Sequence, residues 1–283
     1  MMLSLEQLLK ESERIKPVPQ VIHQLMELVD DPDVPVSEIT DLILYEPVVT
    51  ANLLKLANSA AFGFKKKVNS VRDAVVLLGL KRVVEIVLLD SVTESFKSAY
   101  DGYGLAEGQL WKQSVACALM ASAVADAVDP SIKHLVFTAA LLKDIGVLVM
   151  DRHMRAVVGR IRQVMQADQV WLVAAERQVL GIDHALLGGR IAANWRFSAE
   201  LTSTIQNHHL VDDLALIPQE TAMVYLADSM CSLSAMNADL FSDNYRHYDR
   251  VCRQLGLSEL DVNRIMSDFY TRQESIYGLL AIL

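Results

Sequence analysis

The residues best equipped for chemistry lie in the second half of the chain, set into apolar helical segments. Residues 137–151 read FTAALLKDIGVLVMD, and the pair Lys143-Asp144 interrupts an otherwise apolar strip. Gln113, His184, the doublet His208-His209 and Asp228 stand likewise inside or at the edge of apolar helices. Charged groups are seldom fully buried unless paired, so the Lys-Asp pair either has a task or escapes to water. Taken singly, each histidine reads as a hydrogen-bonded structural residue or an exposed one; the ordered set is what points to a site. The nucleophile elbow GxSxG, the zinc motif HExxH and the P-loop are all absent. The GxG within Asp101-Gly102-Tyr103-Gly104 follows no strand and carries no nucleotide fingerprint.

The elements that must position these groups read as helices almost throughout. Ser4 with Gln7 makes a capping box for a first short helix that ends before Pro17. Val21, Ile22, Leu25, Met26 and Val29 recur at helical spacing until Asp30-Asp31-Pro32. Ser37 is expected to cap a helix carrying Ile39, Leu42 and Ile43, and Pro47 suits the first turn of the next. Ser70 opens a helix closed at Gly79, and Leu80 to Phe96 is apolar nearly all round. The turn at residues 101–104 is the strongest break and is read as the boundary between subdomains 1–105 and 106–283. Beyond it come a long helix from about Glu107 to Ala127 and helices around 133–143, 154–166 and 169–180. Asp183 and Ser198 are expected to cap two more, Pro218 to precede another, and Gly256 with Ser258 to open the last. No segment alternates with a strand period, so the predicted fold class is all-α.

Composition narrows the classes of function. Hydrophobic residues make up 52% and charged residues 22% of the 283, enough for a packed interior. The formal net charge is −9, with 11 basic against 15 acidic residues in 1–105 and 15 against 20 in the remainder. Capture of a nucleic-acid backbone is disfavoured as a general property. The run Lys65-Lys66-Lys67 is the conspicuous basic spot, either an anion-binding face or a solvated loop. Cys117, Cys231 and Cys252 form no CxxC, and residues 1–20 hold no secretory apolar region, so the expectation is a cytoplasmic protein with reduced thiols. The Ala-rich stretch from Ser114 to Ala125 is too short to span a bilayer.

The order LWKQS, AALLKDIG, DHALLGG, NW, NHH, LAD resembles the helical metal-dependent phosphohydrolases named for a His-Asp pair. In the first half, PVPQVIHQLMELVDDPD, ILYEPVVTANLLKLANSAAFG and VNSVRDAVVLLGLKRV resemble the HDOD family, HD-related output domains of bacterial signalling proteins. The resemblance runs from about residue 15 to about residue 235. In the enzymes, a His, a His-Asp doublet and a later Asp hold one or two divalent metals, which turn water into a nucleophile. Against that pattern Lys143 stands where the doublet's His would be, and Gln113 where the leading His would be. Asp144 and Asp228 match, His184 matches a ligand of the two-metal cyclic-nucleotide branch, and His208 or His209 matches its HH pair. The Gly-Tyr-Pro element of that branch is missing.

The resemblance therefore implies a non-catalytic bacterial output module that acts through protein contacts, with no metal, no cofactor, no nucleic acid and no membrane. Its partners would be signalling proteins such as a sensor kinase, a response regulator or a cyclic-dinucleotide enzyme, and a homodimer is compatible with it. The alternatives are a metal-dependent phosphohydrolase with a divergent site and a cyclic-dinucleotide-binding effector. Two readings of Lys143 stay open. Its ammonium takes over a metal's structural role by neutralising Asp144 or Asp228, or it extends to water while Asp144 caps the next turn. A direct pair between residues 143 and 144 is not expected, because neighbours on a helix do not face each other.

Overall fold

The periodic apolar segments fold as helices, in a computed structural model that describes residues 4–12, 20–28, 34–44, 47–58, 67–210, 216–233 and 246–280. In chain order they are α1 Leu5–Ser12, α2 Gln20–Leu28, α3 Val36–Leu44, α4 Pro47–Ala57, α5 Val71–Leu78, α6 Leu80–Phe96, α7 Gln109–Val128 and α8 Lys133–Leu142. There follow α9 Val147–Asp168, α10 Leu172–Leu180, α11 His184–Asn194, α12 Ala199–Asn207, α13 Gln219–Leu233, α14 Tyr248–Gln254 and α15 Glu259–Leu280. Among the described residues there is no strand, only an isolated antiparallel bridge between Tyr100 and Leu105. The all-α fold class holds.

The predicted caps are largely in place. The Ser70, Asp183 and Ser198 side chains accept from the backbone amides three residues on, at the starts of α5, α11 and α12. Ser37 does not cap α3, which starts one residue earlier, at Val36; the amide of Glu38 instead donates to the Pro35 carbonyl at 3.0 Å. Helix α9 begins at Val147, not near 154, and α14 was not anticipated at all.

The chain divides into two compact units whose bounds differ from the sequence boundary. One comprises residues 1–16 and 95–269, the other 17–94 and 270–283. The division falls in the last turn of α6, and the turn at 101–104 is not a linker. Gly102 donates its amide to Asp151 Oδ1 at 2.7 Å, and Tyr103 is fully buried. Gly102 is obligatory there, since a Cβ would stand 2.2 Å from the Asp151 carbonyl oxygen.

In the smaller unit, α3 packs on α2, α4 and α5, burying Ile22, Leu25, Ile39, Ile43, Leu53 and Val75. Lys67 is exposed, while Lys65 and Lys66 lie outside the described residues. In the larger unit, α7 packs on α8 and α13, and α12 packs on α8, α11 and α13. Val115, Ala118, Met120, Ala121, Phe137, Ala140, Met223 and Ala227 fill that core. Two glycines set the approach of α11 to its neighbours. A Cβ on Gly146 would meet the His184 carbonyl oxygen at 2.0 Å, and one on Gly189 would meet Gln206 Cβ at 2.6 Å. No helix among the described residues is long and apolar enough to cross a membrane.

Candidate functional site

The larger unit brings together Lys143, Asp144, His184, His208, His209 and Asp228, each at most 7% exposed. Lys143 and Asp144 occupy the turn between α8 and α9; His184 opens α11, behind its Asp183 cap; His208 and His209 follow the end of α12; Asp228 lies on α13. Each position follows from local structure. Asp183 accepts from the Leu186 amide at 2.7 Å and pairs with the Arg177 guanidinium, which holds His184 at the first turn of α11. Gly146 lets the turn at 143–146 run against His184 without a side chain between them.

Lys143 is 4% exposed and does not reach water. Its Nζ donates to Asp144 Oδ2 and lies 2.9 Å from Asp228 Oδ1. The 143–144 pair, unexpected between helix neighbours, forms in the turn after α8, where Lys143 keeps helical backbone angles (φ −51°, ψ −36°) and its long flexible stem brings the ammonium back to the neighbouring carboxylate. The ammonium thus joins both aspartates. Burial pulls the lysine pKa down, but Asp144 and Asp228 outweigh it and hold it well above the usual value. Burial raises Asp144, yet Lys143 and the imidazoles of His208 and His184 bring it well below the ordinary carboxylate range.

The imidazoles form the other half of the site. His184 Nδ1 is 2.8 Å from Glu176 Oε2, an oxygen that also accepts the His184 amide at 3.0 Å. Tyr103 donates its hydroxyl to Glu176 Oε1 at 2.7 Å, so both oxygens of this fully buried carboxylate are engaged. His208 Nδ1 donates to the Ile205 carbonyl at 2.8 Å. His184 Nε2 lies 2.9 Å from His209 Nε2, and Asp144 Oδ1 lies 3.6 Å from His184 Nε2 and 3.5 Å from His208 Nε2. Burial lowers His184, but Glu176 and Asp144 raise it to about 9; burial beside His208 and His184 drives His209 well below the usual histidine value.

Gln113 is also buried, on α7, but its Nε2 makes no hydrogen bond, and the set above does not include it. One turn further along α7, Cys117 Sγ approaches Asp228 Oδ1 at 4.0 Å. Sequence reasoning missed Glu176 and Tyr103. The signal for Glu176 was present: a lone acid in the apolar helix LVAAERQVL, eight residues before His184. Tyr103 carries no such signal, since it lies in a turn that reads as a chain break.

A two-metal arrangement does not fit these residues. A protonated lysine has no lone pair to offer, and Lys143 holds both aspartates where the resemblance would place a metal and its ligands. A single ion fits the remainder, since one donor atom each from Asp144, His184, His208 and His209 lies within 4.8 Å of all the others. Such an ion would supply Lewis acidity or structural cross-linking, depending on whether a coordination position stays open.

Comparison with known proteins adds the family. The family model described as HDOD domain matches residues 15–211. The chain is 23% identical over 248 residues to an uncharacterized protein of Treponema pallidum (strain Nichols), covering 86% of this chain and 46% of that protein, so it spans about half the relative's length. An HDOD domain protein of unknown function from Geobacter sulfurreducens superposes with a TM-score of 0.75 at 23% identity, over 99% of both chains. A provisionally named signal transduction protein from Marinobacter aquaeolei VT8 gives a TM-score of 0.76 at 19% identity, over 100% of this chain and 62% of that one. The matching helical fold, the matched span and the residues of the first half lead to one conclusion: the chain belongs to the HDOD domain family.

Proposed function

We propose that this chain is a regulatory module of signal transduction that acts through contacts with another signalling protein and does not hydrolyse phosphate esters. One observation carries the reading: the buried ammonium of Lys143, paired with both Asp144 and Asp228. Hydrolysis by a metal pair needs both cations beside the substrate phosphate and a water position between them. Here a side chain that can neither ligate a metal nor polarise water sits on both aspartates. What remains of the site is a cross-link among α11, α13 and the turns after α8 and α12, an arrangement that rigidifies rather than reacts. The provisional naming of the Marinobacter protein for signal transduction agrees with such a role.

The test is turnover. The purified chain, supplied in turn with Mn²⁺, Fe²⁺, Zn²⁺ and Mg²⁺, is incubated with phosphomonoesters and cyclic dinucleotides. No product above the blank is expected under any metal. Product formation that disappears in Asp144→Ala would overturn the reading and establish a hydrolase.

A further inference from the structure

The polar groups around Asp144 are unbalanced in a way that identifies a ligand. Asp144 Oδ1 and His208 Nε2 are buried and have no hydrogen-bond partner. The carbonyl of Ile205 can only accept, so His208 Nδ1 carries a proton there, and Nε2 is the ring nitrogen turned toward Asp144 Oδ1. Glu176 fixes His184 in the same way, leaving His184 Nε2 facing His209 Nε2. Asp144 Oδ1 and His208 Nε2 thus lie 3.5 Å apart as buried atoms without a hydrogen bond, directly beside the His184–His209 pair. Carboxylate or carbonyl partners on the far ring nitrogen are the arrangement that orients metal-binding histidines and strengthens them as ligands.

Charge points the same way. The ammonium of Lys143 pairs with two buried carboxylates, Asp144 and Asp228, while Glu176 holds the imidazole of His184 and Asp183 is paired off by Arg177. Two aspartates against that one ammonium leave a net negative charge beside the imidazoles, which favours a cation there. Lys143 on its own would repel such an ion, but the two aspartates it bridges make the local sum negative. This goes against the metal-free expectation drawn from the replaced ligands Gln113 and Lys143.

We propose that Asp144, His184, His208 and His209 bind one divalent transition-metal ion of the zinc type, in a closed, structural site. Three imidazoles and one carboxylate oxygen form a borderline donor set, suited to Zn²⁺, Co²⁺ or Fe²⁺ and poorly suited to Mg²⁺ or Ca²⁺. Tetrahedral zinc with ligands near 2.0–2.1 Å separates its donors by about 3.4 Å. Three of the six separations here are 2.9, 3.5 and 3.6 Å and all lie within 4.8 Å, so the four donors need to draw together around an ion. Four protein ligands leave no position for water, which makes the ion a cross-link and not a catalyst. Asp144 then bridges two cations, the metal through Oδ1 and the Lys143 ammonium through Oδ2. Metal binding and the absence of hydrolysis are separate claims: turnover would defeat the second and leave the first standing.

The experiment is a Co²⁺ titration of the chelator-stripped full chain, followed by visible absorption and by elemental analysis after desalting. The expected result is one Co²⁺ per chain with the intense d–d bands of four-coordinate cobalt. Zn²⁺ should displace it, and excess Mg²⁺ should not. Glu176→Gln should keep the stoichiometry and weaken affinity about 10- to 100-fold, the usual effect of losing a histidine's carboxylate partner. His208→Ala should abolish the four-coordinate spectrum. Since the wild-type titration decides by itself, a variant that fails to fold does not rescue the idea. No bound cobalt, a six-coordinate spectrum, an unchanged spectrum in folded His208→Ala, or two ions per chain would each overturn it.

Discussion

Removing the Lys143 ammonium is the sharpest perturbation of this site. In Lys143→Met, Asp144 and Asp228 lose the cation that hydrogen-bonds the first and lies 2.9 Å from the second, while side-chain exposures of 3% and 8% keep both from water. At an effective dielectric near 20, one such pair attracts with about 6 kcal/mol, most of which offsets desolvation of the two ions. The variant forfeits the attraction and keeps the desolvation, so the expected loss is about 3–5 kcal/mol. For a unit of this size, that corresponds to a fall in Tm of about 6–20 °C. The assay is urea unfolding in EDTA, followed by tryptophan fluorescence. All three tryptophans, Trp111, Trp171 and Trp195, lie in the larger unit, so the signal reports the unit that holds the site. Adding Asp228→Asn to Lys143→Met removes one stranded charge, and the double variant should be more stable than additivity allows by about 2 kcal/mol. The sign with pH follows. In the wild type, Asp144 is held low, so its stabilisation is present above the ordinary carboxylate pKa and fades as pH falls through the lower folded value. In Lys143→Met the cation that holds Asp144 low is gone, so the stabilisation that the wild type loses in acid is already missing, and the gap between the two narrows as pH falls. A single-variant loss below about 1 kcal/mol, with additivity within about 0.5 kcal/mol, would refute the idea that the ammonium neutralises these aspartates.

Gly146→Ala would place a Cβ 2.0 Å from the His184 carbonyl oxygen, and should destabilise the larger unit by about 3 kcal/mol or more, read as a fall in urea midpoint; an unchanged midpoint would mean the turn does not run against α11. Tyr103→Phe removes the hydroxyl that donates to buried Glu176, with an expected loss of about 1.5–3 kcal/mol in the same assay. With a net charge of −9, the chain should form no sub-micromolar complex with duplex or single-stranded nucleic acid at physiological salt; fluorescence anisotropy checks this, and a tight complex lost on changing Lys65, Lys66 and Lys67 to Glu would make that run a functional site.

The helical architecture was readable from local signals because those signals act locally. A Ser or Asp before an apolar repeat supplies the acceptor for an orphan amide wherever the helix lies, and Ser70, Asp183 and Ser198 do so here. The polar set of the site was readable as well, because charged and imidazole side chains in apolar segments need partners. Which partners they take was decided by tertiary structure. Spacing along a helix argued against a bond between Lys143 and Asp144, yet the bond forms in a turn that Gly146 and α11 hold in place. No property of HHL in the sequence says which ring nitrogen carries a proton, but the Ile205 carbonyl answers that for His208. Likewise, Tyr103 looked like part of a linker until Glu176, 73 residues away, proved to accept its hydroxyl. Gln113 and Lys143, standing where the pattern has two histidine ligands, argued for a site without metal. The folded chain instead separates the pattern into an ammonium pair on one oxygen of Asp144 and an imidazole cluster on the other. That separation depends on distances between α8, α11, α12 and α13, and a linear pattern of residue types contains none of those distances.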